Sequence, residues 1–488
     1  MTVPLLNEIS SPGKRGCNLP ECDVPEKPLE ELIPKDFLRD RPAELPEVSE
    51  PELVRHFTNL SSMNHHVDKN LYPLGSCTMK YNPKVNDAIA SKPGFADIHP
   101  EQPVETIQGA LQLYYELEQI LCGITGMDAF TLQPAAGSHG ELTGVMIMSK
   151  YHQSKGERRK YVIIPDSAHG TNPASVAMGG FETLEVRSNE RGLVDVDDLR
   201  SMISEEVAGM MLTNPNTLGL FEEDIVEIVE LLHSVDALMY MDGANMNALL
   251  GITRPAEMGF DITHLNLHKT FSTPHGGGGP GSGPIGVTAE LEQYLPTPTI
   301  VYDEEFERYD FDWDRPEAIG KIHGFYGNFG MMARAYTYIR MLGPRGLRAI
   351  AENAIINANY LREQLREEFH HPFTQHCMHE FVMSGTPQKK RGATTKDIAK
   401  RLLDYGFHAP TVYFPLIVTE ALMVEPTESE TKDTLDRFAE VLKTIDREID
   451  EDPELVRNGP YTTPIRRVDE AKANRELNPR WGSGESDS

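Results

Sequence analysis

Cysteine, tryptophan and long apolar runs are scarce in this sequence. Its 488 residues include five Cys and two Trp. A small, odd number of Cys in a long chain argues against a disulfide framework and favours a reducing compartment. No stretch reaches the roughly 18 consecutive apolar residues of a membrane-spanning helix. The first twenty residues carry Pro, Glu and Gly where a signal peptide needs an apolar run. These absences predict a cytoplasmic protein that is not integral to a membrane.

Basic residues are also in short supply. Lys plus Arg number 46 against 75 Asp plus Glu, which gives a formal net charge of −29. The acidic residues are spread along the chain, and a protein that binds nucleic acid needs a basic surface, so we exclude a nucleic-acid partner. With 39% hydrophobic and 25% charged residues the composition is that of a globular protein. The length predicts two to four domains.

The distribution of residue types predicts four segments. Residues 1–60 are rich in Pro and acidic residues and predict an N-terminal arm that lies on another surface. We expect a large α/β domain over residues 61–330, a smaller C-terminal α+β domain over residues 331–460 and a polar tail over residues 461–488. The tail ends in RWGSGESDS and is expected to be frayed.

Short apolar runs alternate with helical stretches between residues 131 and 287. The runs are YVIIP, FETLEV, VAGMML, ALMYMD, DITHLN and PIGVT. This alternation predicts a mostly parallel sheet covered by helices. Residues 371–450 mix the strand-like segments EFVMS, YFPLIV and ALMVEP with two helical stretches, which predicts the smaller α+β domain.

The most informative segment is residues 261–287, in which an apolar strand ends at Lys269 and runs into glycines. A lysine partly buried at a strand end can form a Schiff base with an aldehyde; the alternative is a surface lysine before a flexible loop. Asp242 ends an apolar strand 27 residues upstream, and both side chains would project from carboxyl ends of parallel strands, where ligands bind. A carboxylate there could hold a pyridine nitrogen in its charged form, although a helix N-cap is the simpler reading of the acid alone.

Two further segments precede that acid. Residues 133–141, QPAAGSHGE, place small residues before a helix, and such a helix start favours a phosphate group. His169 follows the YVIIP run and could lie flat on a cofactor ring, although a single His is more often a hydrogen-bonded structural residue. The order phosphate loop, stacking His, acid, lysine is more specific than any member of the set.

Other chemistries fit less well. Residues 281–286 match the G-x-G-x-x-G dinucleotide fingerprint of a nicotinamide-dependent dehydrogenase, but they contain a proline and lead into a strand rather than a helix. His264 and His268 are four residues apart on a predicted strand without an HExxH motif, so no metal site is predicted. Cys77 could be a nucleophile but fits a small buried residue in a substrate-facing loop. A structural partner without activity is a third class, and Lys269 argues against it.

With these residues in place, the sequence resembles the glycine cleavage system P-protein family, and specifically its second-subunit type. The resemblance runs nearly end to end. It is carried by LYPLGSCTMKYNPK, QPAAGSHGE, PDSAHGTNPAS, TNPNTLGLFE, MDGANMNAL, NLHKTFSTPHGGGGPGSGP and ALMVEPTESE. It implies an aminotransferase-like fold of type I that binds pyridoxal 5'-phosphate.

The resemblance also implies roles for individual residues. Lys269 would form the internal aldimine, and Asp242 would pair with the pyridine nitrogen. The remaining implied contacts are phosphate binding by Ala136, Gly137 and Ser138, ring stacking by His169, packing beneath the ring by Ala244, a ring-hydroxyl contact by Thr217 and a phosphate contact by Thr270.

The implied activity is that of glycine dehydrogenase (aminomethyl-transferring, decarboxylating), EC 1.4.4.2. Glycine loses CO2, and its aminomethyl group passes to the lipoyl arm of H-protein. The segment ALMVEPTESET lacks the Arg with which an aminotransferase commonly grips a substrate carboxylate, which favours decarboxylation. The resemblance implies a heterotetramer with two copies each of this chain and of P-protein subunit 1, and the N-terminal arm is the candidate wrapping contact. His65, His66 and Lys69, within residues 61–72, depart from the family pattern.

Overall fold

The computed structural model of the chain describes residues 3–41, 43–276 and 281–478. These residues divide into two compact units. The first comprises the described part of Met1–Lys69 together with Pro464–Arg466, and the second comprises the described part of Asn70–Thr463 and of Arg467–Ser488. The centre of the glycine cluster, residues 277–280, and the predicted frayed end, residues 479–488, lie outside the described residues.

The first unit is formed by short helices in an otherwise extended chain. These are α1 (Leu6–Ile9), α2 (Leu29–Leu32), a 3-10 turn (Lys35–Phe37) and α3 (Glu50–Met63). A capping box begins α3, since the Ser49 backbone N–H donates to Glu52 Oε2 at 2.9 Å. Val48 and His56 are the only buried side chains among the described residues of Met1–Lys69. This stretch therefore has no hydrophobic core of its own.

The second unit contains a seven-stranded sheet. Its strand order is β1-β7-β6-β5-β4-β2-β3. Strand β7 is antiparallel to both β1 and β6, and all other neighbours are parallel. The strands are β1 (Ala129–Thr131), β2 (Tyr161–Pro165), β3 (Glu182–Val186), β4 (Val207–Leu212), β5 (Leu238–Gly243), β6 (Ile262–Leu265) and β7 (Ile285–Val287). Each apolar run read from the sequence as a strand of this sheet is one.

Side chains on both faces of this sheet are buried, which explains why its strands read as continuous apolar runs. Val162 and Ile164 of β2 belong to one hydrophobic cluster, and Ile163 between them belongs to another. Successive side chains of a strand point to opposite faces. Tyr240 and Met241 of β5 divide between the two clusters in the same way. The sheet is therefore the middle layer of three.

Helices form the outer layers and the connections. Helices α7 and α8 contact each other, and α7 also packs on β6. The helices up to the end of the large sheet are α4 (Lys84–Ala90), α5 (Pro93–Ala96), α6 (Gln108–Thr125), α7 (Gly137–Ser154), α8 (Thr171–Met178), α9 (Val196–Met202) and α10 (Ile225–His233). Strands β8 (Thr299–Asp303) and β9 (Arg308–Asp312) form a separate antiparallel hairpin.

A long helix, α11 (Phe329–Gln364), follows the hairpin and is interrupted at Gly343. Gly343 adopts φ 60°, which ends the first helical segment, and Pro344 begins the next. The domain boundary read from the sequence at residues 330–331 falls at the start of this helix. That boundary remains a prediction.

The C-terminal part of the second unit is built on a three-stranded antiparallel sheet with the order β10-β12-β11. Helices α13 and α14 cover it with a hydrophobic cluster that includes Ile398, Leu402 and Phe438. The elements are β10 (Phe381–Ser384), α12 (Thr386–Lys390), α13 (Thr395–Asp404), β11 (Thr411–Val412), β12 (Ala421–Val424), α14 (Lys432–Glu451), α15 (Pro453–Arg457) and α16 (Glu470–Arg475).

One predicted strand is wrong. The run YFPLIV, residues 413–418, is not a strand, since β11 ends at Val412. Tyr413 has φ 59°, which lies in the left-handed region and turns the chain out of the sheet. Pro415 has no N–H to continue the ladder, and the side chain of Leu416 is 85% exposed. Among the described residues, no helix is long and apolar enough to cross a membrane.

Candidate active site

A polar cavity of about 290 Å³ lies at the carboxyl ends of the parallel strands. Because β2, β4, β5 and β6 run parallel, the loops that follow them meet at one edge of the sheet, where open α/β sheets bind ligands. The predicted site residues that line this cavity are Gly137, Ser138, His169, Thr217, Asp242, Ala244 and Lys269. Residues from five separate stretches of sequence, among them the four motifs, are thus brought together.

Larger cavities elsewhere in the second unit lack this combination of groups. One of about 850 Å³ lies beside the interruption of α11 at Gly343 and Pro344, and one of about 490 Å³ lies between Phe95 and Phe329. Neither is lined by a candidate residue. We therefore place the candidate site in the smaller polar cavity, where titratable groups converge.

Lys269 lies in the turn that follows β6. Its Nζ donates a hydrogen bond to the backbone carbonyl oxygen of Ser76 at 2.7 Å. Its backbone N–H donates to the carbonyl oxygen of Asn266 at 2.9 Å, which fixes the turn. The amine is therefore held in the cavity by a single neutral acceptor that it can leave without breaking an ion pair.

Asp242 ends β5 and is 4% exposed. Its Oδ2 accepts from Asn172 Nδ2 and its Oδ1 from the Ala244 backbone N–H, both at 3.1 Å. Burial by itself would raise the pKa of Asp242, but His264, the hydrogen bond from Asn172 and Lys269 together hold the pKa below its ordinary value. The carboxylate is therefore charged at neutral pH.

His264 supports Asp242 from the neighbouring strand. The two residues are directly opposite in the pairing of β5 with β6. The Nε2 atom of His264 lies 3.4 Å from Asp242 Oδ1, and its Nδ1 lies 2.9 Å from the Tyr240 hydroxyl. The hydrogen bond between Nδ1 and the Tyr240 hydroxyl fixes the ring so that Nε2 faces the carboxylate. Sequence reasoning considered His264 only as a metal ligand and missed this arrangement.

The opposite end of the cavity is formed by the start of α7. Ala136 is its N-cap residue and Gly137 its first residue, so the N–H groups of this turn lack partners within the helix. A Cβ on Gly137 would lie 2.5 Å from Asn266 Oδ1, and one on Gly140 would lie 2.6 Å from the Gly283 carbonyl oxygen. Small residues are therefore required here, and they leave a space at a helix N-terminus that suits an anion.

His169 lines the cavity between these two ends. Its Nδ1 lies 2.9 Å from the Thr171 hydroxyl, which itself donates to Glu141 Oε1 at 2.7 Å. The Thr171 oxygen therefore accepts from His169 Nδ1–H. Burial lowers the pKa of His169, and Lys269 lowers it further against an opposing contribution from Asp242. The imidazole is consequently neutral, and its orientation is fixed by Thr171 and Glu141.

Three predicted residues have side chains that are less suited to contact a ligand in the cavity. Thr217 lines the cavity, but its hydroxyl donates to the Ser167 carbonyl oxygen, so a ligand could only donate to it. Thr270 is buried outside the lining, and its Oγ1 accepts from the Met246 backbone N–H at 2.8 Å. Ala136 takes part through its backbone position alone. Their ligand contacts remain predictions.

The remaining wall comes from the predicted substrate-facing loop with Cys77 and from a segment of the C-terminal part that the sequence did not mark as chemical. Ser76 and Cys77 form one side, and His379 and Glu380 form another. Burial raises the pKa of the Cys77 thiol, although Lys269 partly opposes this. No Arg is among the described residues that line the cavity. A substrate carboxylate would therefore meet one Lys and no Arg among the described lining residues.

The comparison with known families decides the assignment. The model of the glycine cleavage system P-protein matches residues 25–305, and that of the glycine dehydrogenase C-terminal domain matches residues 350–461. The chain belongs to the glycine cleavage system P-protein family. The resemblance recognised in the sequence motifs is thereby confirmed.

Relatives in this family match over nearly their whole length. The probable glycine dehydrogenase (decarboxylating) subunit 2 of Chloroherpeton thalassium is 59% identical over 483 residues, covering 99% of this chain and 98% of the relative. The protein of the same description from Caldanaerobacter subterraneus is 57% identical over 478 residues, covering 98% of each.

The fold is shared with a solved structure of this family. A crystal structure of glycine decarboxylase (P-protein) of the glycine cleavage system, in inhibitor-bound form, matches with a TM-score of 0.70. The match covers 86% of this chain and 94% of the other at 22% identity. The predicted fold class, an aminotransferase-like α/β fold of type I with a smaller C-terminal α+β part, is confirmed.

Proposed function

We propose that this chain is the lysine-bearing subunit of a glycine decarboxylase and acts with pyridoxal 5'-phosphate. It catalyses the decarboxylation of glycine and the transfer of the aminomethyl group to the lipoyl arm of H-protein. The observation that carries the proposal is the placement of the Lys269 amine and the charged Asp242 carboxylate in one cavity, with a helix N-terminus beside them.

The described residues fit this cofactor. Gly137 and Ser138 leave room for a phosphate at the start of α7. Asp242 remains anionic and can pair with a protonated ring nitrogen, and Lys269 can bind the aldehyde carbon covalently. His169 would lie on one ring face, and Ala244 would pack beneath the other. When bound, pyridoxal phosphate supplies an electron sink for the pair of electrons that CO2 leaves behind.

The cavity also fits a decarboxylation. A substrate carboxylate held by a bidentate Arg would be stabilised in the ground state, and such uniform binding does not accelerate its loss. Among the described lining residues no guanidinium is present, and Lys269 is the one Lys. The polar groups around it can orient the glycine carboxylate while leaving it weakly bound.

The partners and location belong to the same proposal. The relatives are described as subunit 2, which supports a complex with P-protein subunit 1, for which we propose two copies of each chain. Lipoylated H-protein is the acceptor of the aminomethyl group. The five Cys residues are all free thiols, which suits a cytoplasmic location. The N-terminal arm, residues 1–60, is proposed to contact subunit 1.

The test is to compare Lys269→Ala with the parent chain, each purified with subunit 1. We expect the variant to lose the absorbance of the lysine-linked cofactor, the borohydride-trapped adduct and the release of CO2 from labelled glycine. Lys160→Ala, which alters an exposed lysine beside β2, is the control and should retain all three. Full turnover by Lys269→Ala would contradict the assignment of the lysine.

A further inference from the structure

Two glutamates lie opposite each other at the edge of the candidate site. Glu380 immediately precedes β10 and Glu425 immediately follows β12, and these strands pair with Phe381 opposite Val424. Extending that register by one residue places Glu380 directly across from Glu425. Their side chains are buried, with Glu380 3% and Glu425 0% exposed. A nitrogen of His379 and one carboxylate oxygen from each glutamate lie within 4.8 Å of one another.

The hydrogen bonds around the two glutamates indicate which of them carries a proton. Glu425 accepts from the Thr78 backbone N–H at 2.9 Å, the Thr78 hydroxyl at 2.8 Å and Asn245 Nδ2 at 2.9 Å. Among the described residues, Glu380 accepts one hydrogen bond, from the Ser76 backbone N–H at 2.7 Å. Three donors stabilise an anion more than one does, and two buried carboxylates this close do not both ionise. Glu425 is therefore the anion and Glu380 the neutral acid.

The surrounding charges agree with this division. Burial and the neighbouring Glu425 raise the pKa of Glu380 far above its usual range, against the opposing influence of Lys269. Burial also leaves the pKa of Glu425 above its usual value, although the hydrogen bonds from Asn245 and Thr78 oppose the shift. Burial keeps Cys77 of the same cavity a thiol, and burial together with Lys269 lowers the pKa of His275 to about 4.

The neutral acid faces the reaction space. Glu380 and His379 line the same cavity as Lys269. His379 is 2% exposed, and neither of its ring nitrogens has a hydrogen-bond partner among the described residues. Its Nε2 lies 3.6 Å from Glu380 Oε1. Burial, together with Lys269, lowers the pKa of His379 to about 3, so this imidazole is neutral and does not act as the acid. Two unpartnered ring nitrogens in a buried wall indicate a polar ligand that this wall receives.

A metal ion is a poor fit for this wall. Both oxygens of Glu425 already accept hydrogen bonds from Thr78 or Asn245. The Lys269 amine is close enough to lower the pKa of His379, which places a positive charge beside any cation bound there. A proton shared between Glu380 and Glu425 satisfies the same groups without adding a charge.

We propose that Glu380 is a catalytic acid that protonates the sulfur atom released when the lipoyl disulfide is opened. The proposal rests on the proposed function. The electron pair left on the aminomethyl carbon forms a C–S bond with one sulfur, the S–S bond breaks, and the second sulfur takes up the electron pair and the Glu380 proton. The disulfide is reduced to a thioether and a thiol, and the carbon is oxidised. Glu380 regains its proton from the ammonium group of the next glycine, and the aminomethyl group leaves as the neutral amine, so no net proton is consumed.

The first experiment separates proton delivery from carbon chemistry by changing the leaving group. Glu380→Gln is assayed with H-protein that carries the ordinary lipoyl disulfide and with H-protein in which the leaving sulfur is replaced by selenium. A selenolate has a low pKa and leaves without a proton. We expect the variant to lose about 10²- to 10⁴-fold in aminomethyl transfer with the disulfide and to regain most of the parental rate with the selenium acceptor.

The controls are Glu380→Asp and Glu222→Gln. The Asp variant keeps an acid and should retain part of the transfer rate. Glu222 is another buried carboxyl with a raised pKa, outside the cavity, and its replacement should leave transfer unchanged. Parental transfer by Glu380→Gln, or a loss that selenium does not restore, would overturn the proposal. A parent complex that releases no CO2 from glycine would instead contradict the proposed function itself.

A second measurement needs neither cofactor nor turnover. The infrared difference spectrum of the cofactor-free complex, parent minus Glu380→Gln, should contain the carbonyl stretch of a protonated carboxylic acid at neutral pH. The band should shift on exchange into D2O. A carboxylate band in its place would mean that Glu380 is ionised, and the proposed proton donor would be ruled out.

Discussion

The carboxylate of Asp242 illustrates how one residue depends on several elements. It is charged although it is buried, because Asn172 of α8, the Ala244 backbone and His264 of β6 all face it. An isolated buried carboxyl would instead be protonated. A hydrogen bond to a charged group contributes about 1.5 to 3 kcal/mol. A contribution of this size from Asp242 would favour the protonated form of a ring nitrogen bound beside it.

Replacing this charge by a neutral group of the same shape tests its role. We expect Asp242→Asn to lower the rate of glycine decarboxylation by about 10²- to 10³-fold, as removal of one preorganised electrostatic group does. The measurement is kcat for CO2 release under saturating glycine. Asp198→Asn, which removes a surface ion pair with Arg187, is the control and should leave kcat unchanged. Equal rates for Asp242→Asn and the parent would remove the carboxylate from the mechanism.

At the scale of elements, a tight turn after β4 contacts the segment that carries Glu380. The turn is closed by a hydrogen bond from the Gly219 N–H to the Asn216 carbonyl oxygen at 2.9 Å. The Met378 N–H donates to the Gly219 carbonyl oxygen at 2.7 Å, so the turn holds the segment that leads into β10. Gly219 has φ 77°, and a Cβ there would lie 1.9 Å from the Glu380 carbonyl oxygen.

A methyl group at this turn should therefore be costly. We expect Gly219→Ala to lower the free energy of unfolding by about 1 to 2 kcal/mol, because alanine is strained in a left-handed backbone. The overlap with Glu380 should lower it by roughly 1 kcal/mol or more in addition. Gly156→Ala is the matched control, because Gly156 has φ 78° and a Cβ added there would have no atom within 4 Å. Denaturant unfolding midpoints measure the difference. Equal losses in the two variants would show that the close approach to Glu380 carries no energetic weight.

At the scale of the whole molecule, the net charge of −29 is a source of self-repulsion. Repulsion among like charges destabilises the folded chain and is screened by salt. The charge vanishes near the sequence isoelectric point of about 5.0. Salt should therefore stabilise the protein at neutral pH by an amount that depends on this charge.

We expect the thermal unfolding midpoint at pH 7.5 to rise between about 0.1 and 1 M NaCl, over which the Debye length falls from about 10 to about 3 Å. Near pH 5 the same change in salt should have little effect, and that titration is the internal control. Calorimetry on dilute protein measures both series. An equal response at the two pH values would attribute the salt effect to something other than net charge.

Much of the fold and half of the candidate site could be predicted from the sequence. The apolar runs that became β2 to β7 are local signals, and Asp242 and Lys269 follow from their positions at strand ends. The failure at residues 413–418 is equally local in origin, because an apolar run does not reveal that Tyr413 adopts a positive φ.

What the sequence by itself determined was the layered architecture, the order of the motifs and the family, since these depend on neighbouring residues and on motifs long enough to recognise. Only the tertiary structure decided which acids meet. Glu380 and Glu425 are 45 residues apart in sequence, and their encounter depends on the pairing of β10 with β12. Register is fixed by which face of a strand is buried and by the turns that join strands, and β10 and β12 are separated by two helices and a strand instead of one turn. The buried carboxyl beside the lysine could therefore be found only after the chain had been folded.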